Sequence, residues 1–288
     1  MSQPPSLRRA GAVLLTSIIL MVVVTVAFYV LQAPPARLNI PWFSVVVSLG
    51  AVLAPSLIAC YWPAAGAPGE LPPYRQVSGW LIAGVAFASL PLYVLFALLQ
   101  VGITQLLAFE RGTTLVEPLS ASTFQAFLWI WLAIAVLPAL SEELMYRGLL
   151  QSTAVERWGP LWGLITTAVL FSVIHMDPTG FISRILMGLW FGFLFLRTGS
   201  LWASTSAHAF NNTWGVILAS WHVLIEANLP YVFGLAVVAL AVSLVCFYQA
   251  RLWGWPATTD YAKGPGEQPG PELPRFITMQ RPKPPMEG

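Results

Sequence analysis

Three short stretches carry side chains that can do chemistry. Glu142, Glu143 and Arg147 fall in "LPALSEELMYRGLL" (137–150), His175 closes "FSVIH" (171–175), and "HAFNN" (208–212) runs from His208 to Asn212. All three lie in apolar surroundings. At bilayer depth a charged side chain costs roughly 2.5–3.5 kcal/mol and usually faces a bundle interior or a wet cavity. Glu143 and Arg147 have i, i+4 spacing with the acid first, the favourable order for a pair on one helix. His208 and Asn212 have the same spacing and share a helix face. A carboxylate in an apolar site can take a proton from water. A histidine opposite can share that water or shuttle the proton. A second histidine and an amide are donors suited to a developing oxyanion. Filled by Glu142, His175, His208 and Asn212, these roles describe a water-activating hydrolase of amide bonds. Ser141 lacks a G-x-S-x-G elbow, and no Ser or Cys has an obvious nucleophile setting, so covalent catalysis is not favoured.

Each residue also has a plainer reading. Glu143 and Arg147 form a structural ion pair. Glu142 marks an interface at a helix end. His175 is a packing or interfacial histidine beside Asp177. His208 and Asn212 serve helix association through hydrogen bonds. Phe171 is core or cavity wall, Asn211 a bystander on a different face, and His222 an interface residue. A proton-coupled transporter using Glu142 and His175 as a relay is a further alternative, although it has no need of the His208–Asn212 pair. Zinc competes with direct water activation. Catalytic zinc takes about three protein ligands and a water, and Glu142, His175 and His208 would supply them. The H-E-x-x-H signature is absent. The residue types favour metal-independent chemistry but leave both routes open.

The elements that must position these groups are membrane helices. The chain has 288 residues, 57% hydrophobic and only 9% charged, with mean hydropathy +0.72. A soluble domain carries about 25% charged residues, so this is a polytopic, all-α membrane bundle. The net charge of +2 gives no basis for binding nucleic acid. Cys60 and Cys246 sit in apolar runs and form neither a disulfide framework nor a metal motif. The thirteen Trp and eight Tyr suit interface belts. Arg8 and Arg9 precede an apolar run over 10–31, longer than a signal h-region of roughly 7–15 residues, so it is a retained span.

Eight helices are expected, over 10–31, 41–62, 78–102, 122–157, 160–176, 181–196, 199–220 and 229–250. "WGP" (158–160) breaks the fourth from the fifth, because proline disfavours a helical residue before it. "DPTG" (177–180) ends the fifth. The antiparallel pair around "WGP" brings Glu142 and His175 to similar height, about 23 Å from the turn at 1.5 Å per residue. Three helices can thus converge on one cavity. The organisation reads as three N-terminal helices and a loop (1–121), a core carrying the motifs (122–220), a last helix (221–250) and a disordered tail (251–288). Basic residues near span ends favour the cytoplasm. Arg8, Arg9, Arg75, Arg147, Arg157, Arg197 and Arg251 fall at one end, against Arg37, Arg111 and Arg184 at the other. Both termini are therefore expected in the cytoplasm.

The three motifs, in this order on successive helices, resemble E-E-x-x-x-R, F-x-x-x-H and H-x-x-x-N. That is the pattern of the CAAX-protease and bacteriocin-processing family, the intramembrane endopeptidases related to CAAX prenyl protease 2 and also called the Abi family. The resemblance covers residues 122–220 and all three motifs are intact. It implies an eight-helix core with a site inside the membrane, opening towards the cytoplasm. By that implication Glu142 is the general base, His175 helps activate water, His208 and Asn212 stabilise the oxyanion, and Glu143, Arg147 and Phe171 support the site. It further implies a membrane-associated peptide or protein substrate, either prenylated or a leader, or else a non-catalytic scaffold or bacteriocin-immunity role. The chain's size suits a prokaryotic inner membrane. The oligomeric state is left open.

Overall fold

The computed structural model describes residues 7–31, 40–61, 76–106, 123–226 and 228–252. Among the described residues there are helices and turns and no strands. By length and composition six stretches are apolar enough to cross a membrane: Arg8–Phe28, Pro41–Cys60, Gly79–Leu106, Phe124–Val173, Phe181–Thr198 and Leu229–Gln249. The fourth is 50 residues long, far beyond the roughly 20 a crossing needs. Gly159 breaks it, with φ 82° and ψ 167° ahead of Pro160. Glycine takes that φ without the Cβ clash other residues meet. Leu201–Glu226 is also long enough to cross, but His208, Asn211, Asn212 and several hydroxyl residues lower its hydropathy. Counted this way, the described residues form eight helices.

We label them α1 (Leu7–Leu31), α2 (40–61), α3 (Gly79–Leu106), α4 (124–158), α5 (160–173), α6 (Phe181–Thr198), α7 (Leu201–Glu226) and α8 (Leu229–Gln249). Thr123 caps α4 by accepting from the Ala126 amide. α3 runs four residues beyond the expected end at 102 and carries Pro91 inside it. α5 is shorter than expected. It ends at Val173, and Ile174 to Met176 form a turn that closes with φ 47° at Met176. Pro178 disfavours a helical Asp177, and the Asp177 carboxylate instead accepts from the Thr179 and Gly180 amides at the start of α6. The tail from 253 and most of the loops at 63–77 and 103–121 lie outside the described residues.

Two helices contain wide π-helical turns, at Val47–Leu53 in α2 and at Leu132–Val136 and Leu144–Gln151 in α4. Such turns are uncommon and often mark functional sites. The second one in α4 carries Arg147. α4 and α5 pack on α6 at the small-residue pair Gly188 and Gly192. A Cβ on Gly188 would stand 2.9 Å from the Ala168 Cα, so the helix backbones touch there. Close approach through small residues is how membrane helices associate. The N-terminal helices are tied into the same bundle. Ser44 donates to the Ala133 carbonyl, Ser183 to the Phe96 carbonyl, and the Trp214 indole to the Ser89 hydroxyl. Outward faces remain apolar, as at Leu15, Val23, Val237 and Val245, each more than half exposed. Lipid is the solvent that tolerates such faces.

Candidate active site

Glu143 is the hub. Its side chain is 0% exposed, and one of its two oxygens, Oε1, carries the ionic contacts. Arg147 Nη1 donates to Glu143 Oε1 at 2.7 Å, the expected i, i+4 pair. Arg147 Nη2 donates to the Gly188 carbonyl at 3.1 Å, which the close approach of α6 makes possible. His208 Nδ1 bonds the same Glu143 Oε1 at 2.9 Å. One buried oxygen therefore fixes both an arginine of its own helix and a histidine of α7. The guanidinium carbon also lies 4.9 Å from the Phe171 ring centre, 5.5 Å from Phe191 and 5.8 Å from Tyr146. An aromatic box around a cation is worth about 0.5–2 kcal/mol per contact and helps offset the desolvation of the charge.

His208 is 4% exposed and its ring orientation is over-determined. Phe191 stacks on it at 4.8 Å with an interplanar angle of 18°, and Phe171 meets it edge-on at 5.7 Å. With Nδ1 bonded to Glu143, Nε2 faces Glu142 Oε2 at 4.0 Å. That is beyond a direct hydrogen bond. Glu142 Oε2 is buried and has no hydrogen-bond partner, although the Glu142 side chain as a whole is 20% exposed. Glu143 Oε2 is likewise buried without a partner, but Glu143 is 0% exposed whereas Glu142 is 20% exposed, so Glu142 is the carboxylate that water can reach.

His175 approaches from α5. Its Nδ1 lies 2.7 Å from the Phe171 carbonyl. A carbonyl only accepts, so Nδ1 carries the proton and Nε2 keeps a free lone pair in the neutral ring. The ring packs on Phe171 at 5.1 Å, and Glu142, Arg184 and His208 are near enough for their charges to act on it. The sequence placed His175 well within the hydrocarbon depth. The early end of α5 puts it instead in the turn leading to Asp177, where it is exposed. Asn212 is half-buried and its Nδ2 donates weakly, at 3.5 Å, to the Ile134 carbonyl of α4. Its second amide hydrogen is not used by that bond.

The expected residues are therefore brought together with graded closeness. Glu142, Glu143, Arg147, Phe171 and His208 form one contact network. His175 joins it through Phe171. Asn212 shares the His208 helix but bonds elsewhere. Phe171 is the common wall of the site. Asn211 is only 8% exposed and lines a cavity with α3 and α6 residues, on a different face from Asn212 as expected. The His222 side chain lies outside the described residues. Phe191 and the Gly188 carbonyl were missed from sequence. The spacing of Gly188 and Gly192 in "GLWFG" was the available signal for a close helix contact. As for zinc, among the described residues no three His, Cys, Asp or Glu side chains are gathered so as to hold a metal ion. His208 Nδ1 is committed to Glu143, and its Nε2 and Glu142 Oε2 are 4.0 Å apart. In this arrangement Glu142, His175 and His208 are not gathered around one point, while the free Nε2 of His208, with Nδ1 held by a carboxylate, is the kind of ring nitrogen a metal takes.

A polytopic helical membrane protein with a paired-glutamate, arginine and histidine cluster in its interior is the class that fold and site define. Residues 124–214 match the family model described as type II CAAX prenyl endopeptidase Rce1-like. The resemblance read from the motifs holds over that segment, which spans α4 to the middle of α7. A curated protein of Bacillus subtilis (strain 168), named "Putative membrane peptidase YdiL", is 26% identical over 84 residues, which is 29% of this chain and 34% of the relative. The match thus spans about a third of the relative's length. No solved structure matches the chain.

Proposed function

We propose that this protein is an intramembrane endopeptidase that hydrolyses a peptide bond of a membrane-associated peptide, a leader or a lipid-modified one, with water activated by Glu142 and His175. The observation that carries the reading is the shared Glu143 oxygen. It locks the His208 ring so that Nε2 faces the unpartnered Glu142 Oε2 at 4.0 Å. In this reading Glu142 takes a proton from water, aided by the Nε2 lone pair of His175. The water oxygen bonds the scissile carbonyl carbon, and the carbonyl π pair moves onto oxygen. The unspent Asn212 amide hydrogen and the His208 Nε2 proton hold that oxyanion. As the oxyanion collapses, the C–N bond breaks and the proton held on Glu142 passes to the leaving nitrogen. His208 can donate from Nε2 only while its ring carries both protons, because Nδ1–H serves Glu143.

Orientation belongs to the same proposal. Arg147 and Arg197 were counted with the cytoplasmic end on sequence, but both are buried in the bundle and drop out of the asymmetry. Arg8, Arg9, Arg75, Arg157 and Arg251 still outweigh Arg37, Arg111 and Arg184, and Arg184 is paired with Asp177 at 2.7 Å. This supports an inner-membrane protein with its Leu7 and Leu252 ends in the cytoplasm. Towards that end Leu194, Phe195, Leu201, Ala203 and Ser204 are all 0% exposed. In this reading substrate reaches the cluster past His175, which is exposed at the 177–180 end. The mouth then faces away from the cytoplasm, opposite to the side the resemblance implies.

The test is cleavage of a fluorogenic peptide library by purified protein in proteoliposomes. His175→Ala and His208→Ala should each lower kcat/KM by about 10²-fold or more, the scale of lost acid–base or oxyanion help. Strong chelation should leave cleavage intact. Persistent cleavage by both folded variants would remove His175 and His208 from the reacting site, and no cleavage by the unmodified protein would remove the hydrolase reading.

A further inference from the structure

A second polar cavity lies beside the cluster, between α3, α6 and α7. Its volume is about 100 Å³, and its lining includes Tyr93, Gln100, Ser183, Arg184 and Asn211. Most of its polar groups are already engaged. Ser183 donates to the Phe96 carbonyl, and Gln100 Nε2 to the Thr179 hydroxyl. Arg184 is held by the Asp177 carboxylate, so the cavity presents no uncompensated charge. Asn211 is different. It is 92% buried, lines the cavity, and makes no hydrogen bond among the described residues. Its amide reaches the cavity and is not spent on a protein partner there, so it is free to pair with a group that enters.

Asn211 is three residues after His208, the i, i+3 spacing of one helix face. Asn212 turns towards the Ile134 carbonyl of α4. The two adjacent asparagines point about 100° apart around α7, one beside α4 and one beside α3 and α6. A side-chain amide offers two donors and an acceptor. Its natural complement is another amide, which returns a carbonyl and an N–H in the same plane. A recess whose one cation, Arg184, is already paired with Asp177 and which offers the Asn211 amide fits a peptide group better than an ion.

Resting on the endopeptidase reading above, we propose that the α3–α6–α7 cavity is a substrate subsite and that Asn211 is a positioning residue there, paired with a backbone amide of the substrate peptide away from the scissile bond. The substrate thereby lies across α7, with Asn212 at the reacting carbonyl and Asn211 at a flanking peptide group.

The test uses full-length protein in mixed micelles with a degenerate decapeptide library as the probe. Retention of the library is measured on immobilised Glu142→Ala protein, with and without Asn211→Ala, while cleavage is followed separately on protein with Glu142 intact. Asn211→Ala should weaken retention about three- to tenfold and raise KM by a similar factor, with kcat within about twofold. A neutral hydrogen bond of about 0.5–1.5 kcal/mol converts to that range. The melting temperature should stay level, because no hydrogen bond within the protein is lost. A packing role would instead lower it. Unchanged retention and KM, or a fall in melting temperature with a matching fall in kcat, would overturn the subsite. If the library is retained through Asn211 but never cleaved, the subsite stands and the endopeptidase reading fails.

Discussion

At the scale of single residues the site is organised by a buried ion pair whose partners are shared. Arg147 does two things at once, holding Glu143 and capping the Gly188 carbonyl. Removing one partner of a buried pair leaves an uncompensated charge, typically about 3–5 kcal/mol. Arg147→Ala is therefore expected to unfold at much lower denaturant or not to accumulate. Arg147→Lys should restore only part of that loss, since a point charge cannot reach two acceptors as a planar fork does. Denaturant titration in detergent reads both. Much of this pairing was legible beforehand, because i, i+4 spacing in a helix fixes which side chains meet. The Glu143–His208 bond was not. Its partners are 65 residues apart, and nothing local to either one says which of two adjacent glutamates would turn inward.

At the scale of elements, the helices that were expected are present, and the differences lie where backbone geometry departs from the plain helix. Apolar run length located the spans because a bilayer fixes it. The wide turns in α4 were invisible to that pattern, since a π turn needs no distinctive composition. The end of α5 shifted because the φ of Met176 and the proline after Asp177 act together. Two expectations belong here. Gly188→Ala should destabilise the α5–α6 contact by about 1–3 kcal/mol, because the new Cβ meets the Ala168 backbone at 2.9 Å. Gly192→Ala should cost less, because its Cβ would meet side-chain ends of Leu164 and Gln151, which can move. The α5–α6 turn has a pH signature as well. Burial pushes the Asp177 carboxyl up, but hydrogen bonds from Thr179, Arg184 and Gly180 and the Arg184 charge outweigh it and hold it at about 2 instead of 3.8. A depressed carboxyl stabilises the fold above its unfolded value. The turn's contribution should be complete above about pH 4 and fade as pH falls through about 2. Asp177→Asn should flatten that part of an acid-unfolding curve.

At the scale of the whole molecule, the question is which side of the membrane the cluster serves. The buried 194–204 end and the exposed His175 set the two ends of the bundle apart, and the proposed orientation puts the first in the cytoplasm. Cys60 and Cys246 are both buried, so engineered cysteines report cleanly. A membrane-impermeant thiol reagent should label Thr179→Cys in intact cells and Glu156→Cys only after permeabilisation. The reverse pattern would turn the mouth to the cytoplasm. The most direct test of the chemistry itself is kcat/KM for Glu142→Gln in proteoliposomes, read beside its melting temperature. Loss of a general base predicts a fall of about 10²–10⁴-fold with the melting temperature held. Cleavage within about twofold of the unmodified protein, in a variant that still folds, would contradict Glu142 as the group that activates water.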